Sequence, residues 1–405
     1  MPAPEQFDYD YLIIGGGAAG LSLAYHLAQE PRLAQQRVVL IEPDTAKPDD
    51  RTWRYWAKGA TPFAAVESHQ WAHMVVRTPG YEQAFDLAEY RYRMIKAGDF
   101  YAYVHQLLDA RPGQFTRLSG RVTELTEVAG GVQATRVGDS PVRARYVFDS
   151  RWPELRPEPA RYRYLQQHFL GWEIETDENV FDPTTMQFMD FQVPQHGQAR
   201  FVYTLPFSPR RALVEFTVFS PQPLPVAEYE TELRRYLAKK LAGRPYRIIG
   251  QESGSIPMTD HPLPAQVSER VFNLGVRAGR AKPSSGYTFA RIQHHSARLV
   301  QALATTGRPP RNPTGDQWQF RLFDTLLLDI IQRQGEELRV IFTDLFRHGT
   351  MPRLFAFLDE QTSWWDNLRL MNSVPTRPFL RSLANVLRNK PGQRPQRADV
   401  EARRD

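Results

Sequence analysis

A glycine-rich segment close to the start of the chain constrains the fold more than any other feature. The apolar residues 11–14 lead into Gly15, Gly17 and Gly20, which have the spacing G-x-G-x-x-G, and a helix-prone segment, 21–28, follows. In such a strand–loop–helix unit the first glycine permits a tight turn, the second lets a pyrophosphate approach the backbone, and the third lets the helix pack closely on the strand. The free N–H groups at the start of the helix favour phosphate binding.

A second apolar segment completes this pattern. Residues 37–41 predict a strand that ends at Glu42, 22 positions after Gly20, where an acidic side chain accepts hydrogen bonds from ribose hydroxyl groups. The order of strand, glycine loop, helix, strand and acid therefore predicts a dinucleotide-binding βαβ unit. The residues predicted to bind the cofactor in this unit are Gly15, Gly17, Ala18, Ala19, Gly20 and Glu42.

The composition limits the other classes of function. The 405 residues include 51 basic and 45 acidic side chains, a net charge of +6, and no cysteine. The basic residues are scattered, without a recognition-helix or zinc-finger pattern, so nucleic acid is not a predicted partner. The lack of cysteine excludes disulfides and thiol catalysis, and the histidines lack metal-ligand spacing, so no metal site is predicted. No run of 18 apolar residues and no signal peptide is recognised, which predicts a cytoplasmic protein.

A second glycine-containing loop is predicted near the cofactor. An apolar strand over 271–276 is followed by Gly279, Pro283 and Gly286, and then by a helix from about Tyr287. This order brings a second helix N-terminus towards the dinucleotide. We therefore expect Gly279, Pro283 and Gly286 to contribute to cofactor binding.

Long alternating strands are predicted between these two regions, and two of them carry a single acidic residue between apolar neighbours. Glu215 lies in the segment 212–219, in which nearly all of the remaining residues are apolar. Asp190, in 185–192, is flanked by Met189 and Phe191. An acid in such a strand is expected to be exposed, paired or functional. Both residues are candidates for acid chemistry, with a paired structural glutamate and a strand-end hydrogen-bonding aspartate as the alternatives.

Several motifs in the central part of the chain occur in a recognisable order. They are Phe-Met-Asp-Phe at 188–191, the segments 200–207 and 213–217, Glu-Ser-Gly-Ser-Ile-Pro-Met at 252–258, and 275–289 with its core at 278–287. In this order, and with the glycine loop and the Arg-Thr-Trp cluster at 51–53, they resemble the motifs of flavin-dependent lycopene cyclases. The resemblance covers roughly residues 8–305.

The resemblance implies a fold and an activity. The fold is α/β, with a glutathione-reductase-type FAD-binding domain, an inserted antiparallel-sheet lobe for the carotenoid substrate and a C-terminal helical region. The activity is cyclisation of the linear ψ end groups of lycopene, or of related acyclic and monocyclic carotenoids, to β rings without net redox change. Reduced FAD is the implied cofactor, with NADPH or NADH as its reductant.

The domain limits expected from this resemblance are discontinuous. They are 7–50, 115–152 and 252–305 for the FAD-binding domain, 51–114 and 153–251 for the substrate lobe, 306–387 for the helical region and 388–405 for a disordered tail.

The chemistry of cyclisation agrees with an acid in an apolar strand. Protonating a carbon–carbon double bond requires a carboxylic acid whose pKa is raised by its surroundings, so that it is protonated near neutral pH. Glu215 is the expected proton donor, and Asp190 is the rival. The family often carries two adjacent acids here, but the second position is Phe216. Any role of a second carboxylate must therefore be absent or met elsewhere.

Two other functions stay open at this stage. One is an FAD- and NADPH-dependent monooxygenase or reductase acting on a prenyl lipid, although such hydroxylases usually carry Gly-Asp where this chain has Gly275-Val276. The other is a non-catalytic nucleotide-binding protein, against which Glu215 and the aromatic-rich second lobe argue.

Aromatic residues add two expectations about surfaces. Trp53, Tyr55 and Trp56 line a tunnel for the polyene or pack in the core. Since a carotenoid dissolves in lipid, peripheral association with a membrane surface is expected through the C-terminal helices. Trp364 and Trp365, with two nearby phenylalanines, Phe355 and Phe357, lie at the lipid interface or in a buried helical hairpin.

Overall fold

The computed structural model describes residues 7–43, 51–155, 161–310 and 317–388. The predicted βαβ unit is present at the start of the first of these ranges. The unit consists of β1 (Tyr9–Ile14), α1 (Ala18–Ala28) and β2 (Val38–Glu42). β1 and β2 pair in parallel, and their apolar residues are buried on both faces, as expected for parallel strands covered by helices. The predicted tail lies outside the described residues except for Arg388.

The following segment forms strands of two further sheets before it returns to the first. Its elements are β3 (Thr52–Lys58), β4 (Glu67–Trp71), β5 (His73–Thr78), β6 (Tyr81–Asp86), β7 (Tyr90–Lys96) and α2 (Ala97–Asp109). The next strands all belong to the first sheet: β8 (Phe115–Ser119), β9 (Val122–Val128), β10 (Gly131–Arg136) and β11 (Asp139–Asp149).

The central part of the chain contains the longest strands. Its elements are β12 (Tyr164–Thr176), β13 (Thr185–Asp190), β14 (Ala199–Ser208), β15 (Arg211–Ser220), α3 (Val226–Lys240), β16 (Tyr246–Thr259), β17 (Val271–Asn273) and α4 (Phe289–Thr306). The C-terminal region is helical, with α5 (Trp318–Gln334), α6 (Glu337–His348), α7 (Met351–Leu358), α8 (Trp364–Met371) and α9 (Thr376–Arg388). No helix in the described ranges combines the length and the apolar character needed to cross a bilayer.

The described strands form three sheets. The first has the order β8-β2-β1-β11-β10-β9, with β17 parallel to β11. The second has the order β16-β12-β15-β14-β13-β5-β6, and β3-β7-β4 form a small third sheet. The predicted combination of an α/β dinucleotide-binding fold, a largely antiparallel second sheet and C-terminal helices is confirmed. Residues 252–259, which the sequence assigned to the first domain, pair with β12 in the second sheet.

Two apolar cores cover opposite faces of the second sheet. One face packs against α3, where Val202, Val214 and Phe216 join one buried cluster. On the other face, Phe201, Tyr203 and Leu213 join a cluster that includes residues of α5, α6 and α7. Because successive residues of a strand point to opposite faces, Glu215 points away from α3.

Candidate active site

A large cleft lies between the glycine loop of the first sheet and the face of the second sheet that carries Glu215. Its volume is about 1340 Å³, above the roughly 300–1,000 Å³ typical of small-molecule pockets. Residues from both sheets line it, among them Gly17, Glu42, Arg54, Tyr203, Glu215 and Gly286. The cleft is therefore large enough for a dinucleotide and part of a long substrate.

The glycine loop forms one end of this cleft. Gly15 has φ +96°, a conformation that favours glycine, and a Cβ there would collide with the Ser150 side chain. A Cβ on Gly20 would collide with the carbonyl oxygen of Gly15, so α1 packs on β1 only because position 20 has no side chain. At Gly17 no atom lies within 4 Å of the place a Cβ would take, and the backbone there is open to the cleft.

The start of α1 is suited to an anion. Gly17 is the N-cap residue and provides no side-chain cap, and the first turn contains no acidic residue. The first N–H groups of a helix lack partners within the helix, so they favour a phosphate at this position. Ala18 and Ala19 also line the cleft and are small enough to let a ligand approach.

Glu42 lies beside the glycine loop at the end of β2. Its carboxylate accepts a hydrogen bond from the Gly16 N–H, and its side chain lines the cleft. This is the position from which the acid of a dinucleotide-binding unit reaches the ribose. The open backbone at Gly17, the uncapped helix and the placement of Glu42 together fit the adenosine and pyrophosphate part of a dinucleotide.

Glu215 lies at the other end of the cleft, and its side chain is only 3% exposed. The Thr217 hydroxyl donates a hydrogen bond of 3.0 Å to its Oε1, and Nη1 of Arg54 lies 3.0 Å from its Oε2. Arg54 also pairs with Glu252 of β16, and Oε2 of Glu252 accepts a 3.0 Å hydrogen bond from Thr52. The site therefore holds one guanidinium group between two carboxyl groups.

The two carboxyl groups differ in their affinity for a proton. Burial raises the pKa of Glu215 to about 8; the Arg54 charge acts against this, and the neighbouring Glu252 adds to it. Burial also acts to raise the pKa of Glu252, but the Arg54 charge and the hydrogen bonds that Glu252 receives outweigh it and lower this pKa. At neutral pH Glu215 is therefore a carboxylic acid and Glu252 a carboxylate.

Three tyrosines line the cleft around Glu215. Tyr203 lies directly opposite Glu215 on β14, and the hydroxyl oxygens of Tyr92 and Tyr287 are 3.0 Å apart. Burial raises the pKa of Tyr92 to about 12 and the pKa values of Tyr203 and Tyr287 well above the usual value. The acid is thus surrounded by neutral aromatic rings, which stabilise a nearby cation through their π faces.

The family of the chain follows from its sequence over almost its whole length. Residues 10–384 match the model of the lycopene cyclase protein family. The chain belongs to the lycopene cyclase family. This confirms the family that the motifs predicted, and it applies to the region that contains both the glycine loop and Glu215.

Individual relatives are distant. The lycopene beta-cyclase of Pantoea ananas is 25% identical over 395 residues, which cover 94% of this chain and 98% of that protein. Among solved structures, a geranylgeranyl bacteriochlorophyll reductase-like protein from Thermoplasma acidophilum has a TM-score of 0.58 at 13% identity, covering 93% of this chain and 99% of its own. A probable FAD-dependent monooxygenase from Pseudomonas aeruginosa has a TM-score of 0.57 at 16% identity, covering 83% and 99%. At these identities the structures establish the fold alone.

Asp190 does not lie in the cleft with Glu215. It is 3% exposed, and it is absent from the residues that line the cleft. Its Oδ2 accepts a 3.0 Å hydrogen bond from the Tyr236 hydroxyl of α3, and its Oδ1 accepts one from the Gln192 N–H. Asp190 therefore points to the α3 side of the second sheet, in the strand-end hydrogen-bonding arrangement that was the alternative to an acid role.

The second glycine-containing loop is divided between two cavities. Gly286 lines the large cleft, together with Gly275 and Ser285. Gly279 and Pro283 instead line a separate cavity of about 410 Å³. Of the three residues of this loop that were predicted to bind the cofactor, only Gly286 therefore lines the cleft.

The aromatic residues that were predicted to line a tunnel or pack in the core are divided between the cleft and the core. Trp53 lines the cleft and stacks on Phe289 with 5.5 Å between ring centroids. Tyr55 and Trp56 are buried in the core, where Trp56 stacks on Phe355. Trp364 and Trp365 are 46% and 71% exposed, so the C-terminal aromatic residues form neither a wholly buried hairpin nor a wholly exposed surface.

Sequence reasoning missed the partners of Glu215. Arg54 lay inside the aromatic cluster and Glu252 inside the Glu-Ser-Gly-Ser-Ile-Pro-Met motif, but neither was given a role. The signal that could have identified them was the presence of a charged residue within each of two motifs that resemble those of the family.

Proposed function

We propose that this chain is a lycopene β-cyclase that converts the linear ψ end groups of lycopene, and of monocyclic relatives, to β-ionone rings. The observation that carries the proposal is Glu215, a buried carboxylic acid in an aromatic-lined cleft that continues to a dinucleotide site. The curated lycopene beta-cyclase of Pantoea ananas, which matches over nearly its full length, supports the same activity.

Glu215 begins the reaction as general acid. It donates a proton to C2 of the end group, and the positive charge develops at C1. The C5=C6 electron pair then forms the C1–C6 bond, which moves the charge to C5, and loss of the C6 proton leaves the ring double bond between C5 and C6. One proton is gained and one is lost, so the product is an isomer of the substrate.

The surroundings of Glu215 assist in two ways. Once Glu215 has given up its proton, the Arg54 guanidinium at 3.0 Å stabilises the carboxylate. The rings of Tyr92, Tyr203 and Tyr287, and Trp53 farther along the cleft, provide π faces for the developing cation and exclude water that would trap it.

We infer that the dinucleotide is FAD. The start of α1 would hold its pyrophosphate and Glu42 its ribose, with Gly286 towards the flavin end. When bound in its reduced form, FAD supplies negative charge that stabilises cationic character in the substrate. NADPH or NADH is the expected reductant.

We also propose that the protein associates peripherally with membranes through α8 and α9. Trp365 is 71% exposed and Leu380 64% exposed, and Arg369, Arg377 and Arg381 lie exposed on the same two helices. Apolar and basic side chains together favour the surface of anionic lipid. This surface would bring the cleft to a substrate that dissolves only in lipid.

The activity is tested by expression in a lycopene-accumulating bacterium with pigment chromatography. Glu215→Gln keeps the shape of the side chain but donates no acidic proton, so cyclisation should fall at least ~100-fold while flavin is retained. Asp190→Asn, on the other side of the sheet, is the matched control and should still form rings. Rings from Glu215→Gln but not from Asp190→Asn would reverse the two roles, and oxygenated or hydrogenated products would support the monooxygenase or reductase instead.

Isotope labelling tests the redox-neutral course. In ordinary water the product should have the mass of lycopene, and in D₂O each ring should retain about one deuterium, delivered through the exchangeable carboxyl group of Glu215. A product without deuterium would contradict a solvent-exchangeable acid as the proton donor.

A further inference from the structure

The second sheet places Glu252 in one row with Glu215. On β12, Gly171 is paired with Glu215 of β15 on one side and with Glu252 of β16 on the other. Neighbouring strands lie about 4.8 Å apart, so the two glutamates are separated only by the width of the strand between them. A glycine inside a strand often marks a place where other groups approach closely.

The space above Gly171 is filled by the two glutamates and by Leu213, whose Cδ1 would lie 3.1 Å from a Cβ at this position. A Cβ at position 171 would lie 3.3 Å from Cγ of Glu252 and 3.4 Å from Cβ of Glu215. The absence of a side chain here lets both glutamates lean over β12 towards the same guanidinium group, that of Arg54. The sheet thus builds a pair of acids from two strands that are distant in sequence.

Charge balance requires this pair to hold one proton. With both glutamates ionised, two negative charges and the single positive charge of Arg54 would share a site in which the side chains are 3–16% exposed. A buried excess charge is costly, and one shared proton removes it. Among the described residues, Thr52 and Thr217 donate hydrogen bonds to the pair, and Tyr92 and Tyr203 interact with Glu215 and Arg54; all four are neutral.

Exposure and the contact between the two carboxyl groups decide which glutamate carries the proton. Each glutamate accepts one hydrogen bond from Arg54 and one from a threonine hydroxyl, but Glu252 is the more exposed of the two, at 16% against 3% for Glu215. The greater exposure favours the charged form of Glu252, and the hydrogen bond between the two carboxyl groups raises the pKa of Glu215 and lowers that of Glu252. The proton therefore stays on Glu215, the member of the pair that lines the cleft.

We propose that Glu252 is the positioning residue that, with Arg54, reserves the shared proton for Glu215. It meets the role of the second carboxylate that Phe216 cannot supply. The inference rests on the proposed function of Glu215 as general acid. Glu252 itself does not line the cleft, so it acts on the substrate only through Glu215.

The first test reads the proton directly, without turnover. Infrared spectra of the flavin-loaded protein, recorded without substrate, should show a protonated-carboxyl band at pH 7 that is missing from Glu215→Gln. This band should be lost at pH 7 in Glu252→Gln, because Arg54 then pairs with Glu215 alone and keeps it ionised. Glu252→Asp, which preserves the charge, should retain it.

The second test is the pH profile of cyclisation. In Glu252→Gln the alkaline limb should move to lower pH by about two units, with at least a ~10-fold loss at pH 7.5 that largely recovers below pH 6. Glu175→Gln is the matched control, since Glu175 of β12 pairs with Arg247 of β16 outside the cleft, and its profile should equal the wild type.

Each outcome separates the two proposals. Cyclisation by Glu215→Gln would overturn both. An inactive Glu215→Gln combined with an unmoved band and an unmoved profile in Glu252→Gln would overturn the role of Glu252 alone. If Glu252→Gln does not retain flavin, the other proteins still test the inference. A wild type without the Glu215-dependent band would refute it. So would a protonated-carboxyl band in Glu215→Gln that disappears in the double variant Glu215→Gln, Glu252→Gln, because the proton would then be on Glu252.

Discussion

Replacing Glu215 by Gln should remove a loss of stability that the wild type undergoes as the pH rises. In the folded protein the pKa of Glu215 is raised from 4.5 to about 8, with burial as the largest cause. Between these two values the folded chain keeps a proton that the unfolded chain releases. The stability that this proton contributes is fully present below pH 4.5 and is lost as the pH rises through about 8.

The magnitude follows from the size of the change in pKa. A tenfold change in proton affinity corresponds to about 1.4 kcal/mol, so the free energy of unfolding should fall by up to about 5 kcal/mol across the full range. Between pH 5.5 and pH 7.5 the loss should be about 3 kcal/mol. Glu215→Gln has no proton to lose at this position, so it should avoid this decline. The lowered pKa of Glu252 acts in the opposite direction, but Glu252 is present in both proteins.

The assay is denaturant unfolding of the flavin-loaded wild type and variant at both pH values, at one fixed flavin concentration because ligand binding shifts apparent stability. The difference between the two proteins should grow by about 3 kcal/mol from the lower to the higher pH. Glu175→Gln is the control, because it removes only an exposed ion pair and should change stability by less than ~1 kcal/mol at either pH. Parallel pH dependence in the wild type and Glu215→Gln would refute a protonated Glu215 in the folded state.

Two further predictions concern the cofactor and the membrane. Gly17→Val should fold but lose most of its flavin, because the new side chain has room in the protein and extends to where the pyrophosphate approaches. The flavin content is measured by the absorbance of the purified protein. Gly113→Val is the control, because a side chain at position 113 also extends into open space. The double variant Trp365→Ser, Leu380→Ser should bind anionic vesicles several-fold more weakly in a flotation assay. In contrast, Val137→Ser, at a 62% exposed position in the turn between β10 and β11, should bind normally. Normal flavin content or unchanged vesicle binding would contradict the respective site.

The parts of the site that depend on neighbouring residues were predictable from the sequence. The glycine loop, α1, and the strand that ends at Glu42 are continuous in the chain, so spacing alone indicates their arrangement. Glu215 was recognisable for a related reason, because the apolar residues around it predict burial whichever strands are its neighbours.

The parts that depend on strand order were not predictable. Arg54 and Glu252 meet Glu215 only because β12 and β16 pair beside β15 and because β3 of the third sheet reaches them. Strand partners are chosen by the whole fold, and a short alternating segment does not identify them. Asp190 illustrates the same difficulty, since the strand pattern predicted its burial but did not show that it faces α3 rather than the cleft.

The C-terminal helices share one apolar core with the second sheet, and this has a consequence for protein engineering. Phe355 of α7 stacks on Trp56 with 4.8 Å between ring centroids. The buried ammonium group of Lys282 lies 3.1 Å from Asp324 of α5 and 3.0 Å from Glu360. A truncation that removed these helices to improve solubility would expose the apolar face of the sheet and remove both carboxylate partners of Lys282. The proposed lipid-binding surface is therefore not a detachable anchor, and solubility is better sought by substitutions at its exposed tips.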